Sequence, residues 1–88
     1  LQFSSLDEAL EEVNRLPYGL AAYAFTSNFR DARRIAEVCE TGMLGINTFA
    51  IALPETPFGG VKDSGHGSEN GIEGLDAYLT SKFIAHSI

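Results

Sequence analysis

Leu20-Ala21-Ala22-Tyr23-Ala24-Phe25-Thr26 is the stretch on which the fold turns. Taken as a strand it is largely apolar, as expected of a strand covered on both faces in a parallel sheet. Its three alanines leave a helical reading open. The next two residues favour the strand: Ser27-Asn28 is a helix-capping signal, so a helix begins after Thr26 and does not run through it. From Phe29 to about Thr41, residues Phe29, Ala32, Ile35, Ala36 and Cys39 fall on one helical stripe. Gly42 stands at the end of that helix, where a left-handed residue is usual. Met43-Leu44-Gly45-Ile46-Asn47 is then a short apolar strand.

Working upstream, Ser5-Leu6-Asp7-Glu8 fits a capping box, a Ser hydroxyl with a Glu three residues on to return the bond. Leu6, Ala9, Leu10 and Val13 follow at helical spacing, with Asp7 and Glu8 in the first turn where the helix dipole favours negative charge. Pro17 and Gly19 end that helix. Before it, Leu1 and Phe3 alternate with Gln2 and Ser4 like the end of a strand. Strand, helix, strand, helix, strand over residues 1–47 predicts an α/β fold, a βαβαβ unit with parallel pairing and right-handed crossovers.

Downstream, residues 48–70 form a long connection, which compact domains keep mainly for function. Gly71–Leu79 predicts a short helix with Ile72, Leu75 and Leu79 on one side. Ser81–Ile88 predicts a last strand, in which Phe83, Ala85 and Ser87 alternate with Ile84, His86 and Ile88. That strand lies beyond the parallel unit, so residues 1–80 form the main body and 81–88 a separate edge. An unpaired apolar edge favours pairing with a second copy of the chain.

Composition narrows the function. The 88 residues carry 12 acidic against 6 basic side chains, a net charge of -6. Arg15, Arg30, Arg33, Arg34, Lys62 and Lys82 are scattered, which excludes a phosphate-tracking surface and hence nucleic acid as partner. No apolar run reaches the roughly 18 residues of a membrane span, and no signal-peptide pattern opens the chain. Cys39 is the only cysteine, which excludes an internal disulfide and fits a reducing, cytoplasmic location. The chain starts on Leu1 in a strand-like segment, so it reads as a piece of something longer.

The densest cluster of unusual residues is Pro57-Phe58-Gly59-Gly60-Val61-Lys62-Asp63-Ser64-Gly65-His66-Gly67. Its glycines permit tight turns and close packing, and Pro57 stiffens the backbone that presents Phe58. It reads as a binding loop. Self-contained chemistry does not assemble around it. Cys39 lies on the apolar stripe of its helix with no cation on that stripe, the pattern of a core cysteine. His66 and His86 share no metal-ligand spacing, and His66 reads as a solvated loop residue that could touch a ligand. Gly65-His66-Gly67-Ser68-Glu69-Asn70-Gly71 misses the dinucleotide fingerprint by one residue and follows no strand of a βαβ unit. Ser64 and Ser68 have no local base, and Asp63, Glu69 and Glu73 read as solvated acids.

Four stretches in order resemble the C-terminal end of the aldehyde dehydrogenase superfamily. They are Tyr18-Gly19-Leu20-Ala21-Ala22 running to Phe25-Thr26, Gly42–Asn47, Pro57–Gly67, and Gly71-Ile72-Glu73-Gly74-Leu75-Asp76-Ala77-Tyr78 with Lys82. The resemblance spans essentially the whole chain and is nearest to the semialdehyde dehydrogenases, with succinate semialdehyde the first substrate to consider. It implies oxidation of an aldehyde to an acid or thioester with NAD or NADP. It places the nucleophilic cysteine, the water-activating glutamate and the cofactor domain upstream of this segment. The segment alone is therefore expected to be inactive, to bind no cofactor and to hold no metal.

By the same resemblance Thr48–Thr56 corresponds to the loop that shapes substrate choice, so Phe49, Ala50 and Ala52 become substrate-side candidates. Phe58 corresponds to the aromatic that closes on the reacting aldehyde, and Asn47 and Lys82 to structural positions. Ser81–Ile88 corresponds to the strand through which subunits associate into dimers or tetramers. Two positions depart from the family pattern. Ser68 replaces an arginine that makes an ion pair, and Ala52 and Leu53 stand where some succinate-semialdehyde enzymes carry a serine. A second reading is a non-catalytic remnant that acts only as an association module through its terminal strand.

Overall fold

Helix α1 (Leu6–Asn14) begins where the capping signal puts it. The Ser5 hydroxyl accepts from the Glu8 N–H at 3.2 Å. The return arm lands one residue early: the Glu8 carboxylate accepts from the N–H and the hydroxyl of Ser4, at 2.9 and 2.7 Å. Strand β1 (Tyr18–Gly19) follows, then β2 (Ala21–Ala24), helix α2 (Phe29–Val38) and β3 (Met43–Ile46). Asn28 caps α2 through its side-chain oxygen, which accepts from the N–H groups of Arg30 and Asp31. Strand β4 (Val61–Lys62) and a 3₁₀ helix (Ile72–Tyr78) complete the order in this computed structural model, which describes all 88 residues.

The strand reading of Leu20–Thr26 holds over Ala21–Ala24. Strands β2 and β3 pair in parallel, with Ala21 opposite Met43 and Ala24 opposite Ile46. With α2 between them they form one βαβ unit. The five-element unit expected over residues 1–47 is not present, because Leu1–Ser4 joins no strand. A strand exists only through a neighbour that takes its N–H and C=O groups, and Leu1–Ser4 has no such neighbour here. Ser81–Ile88 has no regular structure and no ladder partner within this chain, and its residues are exposed. Gly71–Leu79 is helical but of the tighter 3₁₀ kind, over Ile72–Tyr78.

Helix α2 is shorter than expected. It ends at Val38, and Cys39 already has an extended backbone as its C-terminal cap. Gly42 accordingly does not adopt a left-handed conformation. Its glycine identity has another cause: a Cβ there would collide with the carbonyl oxygen of Gly59. The close approach of these two backbones docks the glycine-rich stretch against the start of β3.

The two faces of β2 differ. Ala22 and Ala24 are half-buried beside α1, and Tyr23 and Phe25 are exposed on the other side. Small residues let the helices approach that face, where Leu6, Ala9, Leu10, Ile35 and Leu44 line a groove of about 490 Å³. Leu10 and Met43 are the only large apolar residues buried, at 5% and 7% exposure. Coverage on both faces is thus absent within this chain. The molecule is elongated, 69 Å along its major axis, with a radius of gyration of 17.5 Å. A compact domain of this length would have a radius of about 12 Å. The sheet carries apolar surface that these residues do not cover themselves.

Candidate functional site

The glycine-rich stretch is a closed loop. The Phe58 N–H donates to the Glu69 carbonyl and the Glu69 N–H to the Phe58 carbonyl, each at 2.8 Å. Between these ends, β4 pairs antiparallel with β1, setting Lys62 opposite Tyr18 and Val61 opposite Gly19. The Gly19 N–H donates to the Ser64 hydroxyl at 2.9 Å, and the Asp63 N–H to the Pro17 carbonyl at 2.9 Å. Glycine at 65 and 67 allows positive φ values of 138° and 75°, which return the chain to Glu69. The long connection expected over residues 48–70 contains a built loop, tied at its base and along one side.

Phe58 is half-buried and lines a hollow of about 340 Å³. Leu20, Gly60, Ser64, His66, Ala77 and Tyr78 are among its other walls. Phe49 lies elsewhere: it is 72% exposed and packs against two rings of the open sheet face. Its centroid is 5.2 Å from Tyr23 and 5.0 Å from Phe25, with tilts of 55° and 53°. Such tilted pairs suit the ring quadrupoles. Ala50 and Ala52 are exposed in the same segment. The hollow that Phe58 lines includes none of Phe49, Ala50 or Ala52, so the chain does not bring the four candidates into one cavity.

The loop holding Phe49 is ordered by short-range bonds. The Ala50 N–H donates to the Thr48 hydroxyl at 3.0 Å, and the Thr56 N–H to the Leu53 carbonyl at 3.2 Å. The Gly71 N–H donates to the Pro54 carbonyl at 3.0 Å, which joins this loop to the start of the 3₁₀ helix. Asn47 supports its entry. With φ at 57°, its side chain accepts from the Thr26 N–H at 2.8 Å and donates to the Thr26 carbonyl at 2.9 Å. It continues the β2–β3 pairing with side-chain groups past the last backbone rung.

Two residues escaped the sequence reading. Lys62 donates from Nζ to the carbonyls of Asn14 at 3.3 Å and Leu16 at 3.5 Å, and pairs with the Glu40 carboxylate. Asn14 donates from Nδ2 to the Val38 carbonyl at 2.8 Å and accepts at Oδ1 from the Glu40 N–H at 2.9 Å. Both helix ends and the glycine loop meet at this node, where a cation suits the negative end of a helix. Lys62 is the one basic residue inside Pro57–Gly67, the only signal that pointed to it.

Cys39 adjoins the node. Burial pushes its thiol pKa up; Lys62 acts in the opposite sense and Glu40 in the same. A raised pKa leaves little thiolate at neutral pH, which argues against a nucleophile at this position. The helical stripe itself carries no cation; the Lys62 charge reaches Cys39 from the glycine loop. Ser64 spends its hydroxyl on the Gly19 N–H, and His66 is exposed. Within residues 65–71 three backbone N–H groups are engaged, those of Gly65 with the Lys62 carbonyl, Glu69 with Phe58 and Gly71 with Pro54. The last two of these close the loop and tie it to the preceding segment, and the chain then enters a 3₁₀ helix of 7 residues.

Comparison with known proteins gives a consistent match. The profile of the Aldehyde dehydrogenase family covers residues 1–84. A 4-(hydroxymethyl)benzenesulfonate dehydrogenase from Comamonas testosteroni is 49% identical over 82 residues, covering 93% of this chain and 17% of that protein. A succinate-semialdehyde dehydrogenase from Paenarthrobacter nicotinovorans is 43% identical over 82 residues, covering 93% and 18%. Among solved structures, a double mutant of betaine aldehyde dehydrogenase from Staphylococcus aureus, in complex with NAD+, superposes with a TM-score of 0.88. It is 39% identical and matches 93% of this chain and 17% of its own. The chain thus spans less than a fifth of the length of these relatives.

Proposed function

The chain belongs to the aldehyde dehydrogenase family, and from that membership we propose that it forms one wall of the substrate site of an NAD(P)-dependent enzyme. The reaction is oxidation of an aldehyde to a carboxylic acid, with succinate semialdehyde the first substrate to test. Phe58 contacts the reacting aldehyde, and Phe49, Ala50 and Ala52 shape the approach to it. The observation that carries this reading is the doubled bond between Phe58 and Glu69, which holds an aromatic side chain on a fixed base at the edge of a hollow. Orientation of that kind is worth more to a reaction than affinity alone.

The nucleophile, the general base and the cofactor site lie in residues outside this chain, and the segment by itself is inactive. Ser81–Ile88 joins a sheet of a second subunit; the exposure of Phe83, Ile84 and Ile88 supports that reading, since apolar side chains of this size are normally covered. A reducing cytoplasm suits the free thiol of Cys39. No helix of the chain is long and apolar enough to cross a membrane.

The reading frame upstream of the Leu1 codon tests the proposal. It is expected to encode a cofactor domain and a cysteine-bearing loop within several hundred codons, and the product to reduce NAD or NADP when given succinate semialdehyde. A frame with neither feature contradicts the proposal. Reduction with other aldehydes but not this one would retain the enzyme and discard the substrate.

A further inference from the structure

We propose that Lys62 is a positioning residue for the substrate wall, setting where the loop that carries Phe58 sits relative to helices α1 and α2. The inference rests on the proposed contact of Phe58 with the aldehyde and extends it to a residue that touches no substrate. Inside the closed loop, Lys62 is the one side chain bonded to the segments that end the two helices, through the Asn14 and Leu16 carbonyls and the Glu40 carboxylate. Its backbone sits at φ 55°, a conformation that side-chain-bearing residues seldom adopt. The side chain is only 27% exposed, although it ends in an ammonium group.

Apart from the backbone contact of Gly59 with Gly42 at the start of β3, the loop's other attachments are few. Strands β1 and β4 are two residues each, supplemented by the Ser64 hydroxyl and the Asp63 N–H. These ties hold the loop to residues 17–19, which connect α1 to the sheet. Lys62 alone reaches both helix ends, because Glu40 is itself fixed to Asn14 and Asn14 to Val38. Removing its ammonium would leave Glu40 without its cation and the α1 carbonyls without that donor. The loop would then be held by the short β1–β4 ladder and the Gly42–Gly59 contact, and a shift about them would carry Phe58 with it.

The test uses the enzyme that contains this chain, with Lys62→Met, Lys62→Arg and Lys62→Gly compared per titrated active site. Lys62→Gly accepts the positive φ, so it separates side-chain loss from backbone strain. Lys62→Met and Lys62→Gly are expected to lower kcat/KM for the aldehyde about tenfold, less than the roughly 100-fold that a 1 Å misplacement can cost. Cofactor affinity should be unchanged, and Lys62→Arg should recover most of the rate. In a Phe58→Ala background Lys62→Met should have no further effect. Amide hydrogen exchange at Phe58 and Glu69 should quicken in Lys62→Met.

Wild-type kcat/KM in Lys62→Gly, unchanged exchange at Phe58 and Glu69, or a full additional loss in the Phe58→Ala background would each overturn the positioning role. Wild-type kinetics in Phe58→Ala alone would instead overturn the substrate reading beneath it.

Discussion

Phe58 and Glu69 exchange both of their backbone hydrogen bonds, each at 2.8 Å, and so close Gly59–Ser68 into a loop with a fixed base. Because the contact is entirely main chain, it constrains the direction of the Phe58 side chain without depending on the identity of residue 69. The same loop is pressed against the start of β3 at Gly42 and Gly59 and is tied to β1 along Val61–Lys62. Position in this part of the molecule therefore comes from backbone packing more than from a hydrophobic core.

Gly42 gives a direct check of that packing. Gly42→Ala places a Cβ against the Gly59 carbonyl, and neither backbone has a side chain that could swing aside. The expected cost is roughly 1–3 kcal/mol, typical of overpacking. It should appear as a lower thermal midpoint together with faster hydrogen exchange in residues 58–69. A midpoint equal to wild type would mean that the two strands separate freely.

Asn47 makes a second case, because its backbone and its side chain can be separated. Asn47→Gly keeps the positive φ but loses both bonds to Thr26. About 1–3 kcal/mol is expected for that loss. Asn47→Ala loses the same bonds and adds roughly 1–2 kcal/mol of left-handed strain. Denaturant midpoints should fall in the order Asn47, Gly, Ala. Equal midpoints for the two variants would show that the conformation carries no strain.

The elements readable from sequence were those with local causes. Ser5 and Asn28 caps marked the starts of α1 and α2, and apolar runs marked β2 and β3 with their parallel pairing. The expected strands that are unpaired within this chain depend on partners that no local pattern supplies. Leu1–Ser4 and Ser81–Ile88 alternate like strands, but alternation describes a surface, and a strand needs a neighbour's backbone. Tyr23, Phe25 and Phe49 form an exposed aromatic group because the other face of the sheet has no layer within this chain. Lys62 and Asn14 went unnoticed for a related reason. Their bonds reach 48 and 24 residues along the chain, and such links have no periodicity to detect.

Acid affects α1 through Glu8. Its carboxyl pKa is lowered chiefly by the hydrogen bond from the Ser4 backbone, with a further contribution from the Ser4 hydroxyl. A folded value below the unfolded one means a stabilising contribution that is present above the unfolded pKa and lost as pH falls through the folded value. A carboxyl titration followed by NMR should give Glu8 a midpoint below the ordinary glutamate value. Glu8→Gln should remove that part of the acid dependence of α1 helicity. A midpoint at or above the ordinary value of 4.5 would contradict the bonded geometry.

The central claim is that Phe58 touches the aldehyde, and steady-state kinetics of Phe58→Ala in the enzyme containing this chain test it most directly. The loop base is main chain, so the variant keeps it closed and loses only the ring. Loss of an aromatic contact worth about 1–2 kcal/mol should lower kcat/KM for the aldehyde roughly 5–30-fold, with NAD(P) affinity unchanged. Wild-type kcat/KM in Phe58→Ala, measured on a protein with native thermal stability, would contradict it.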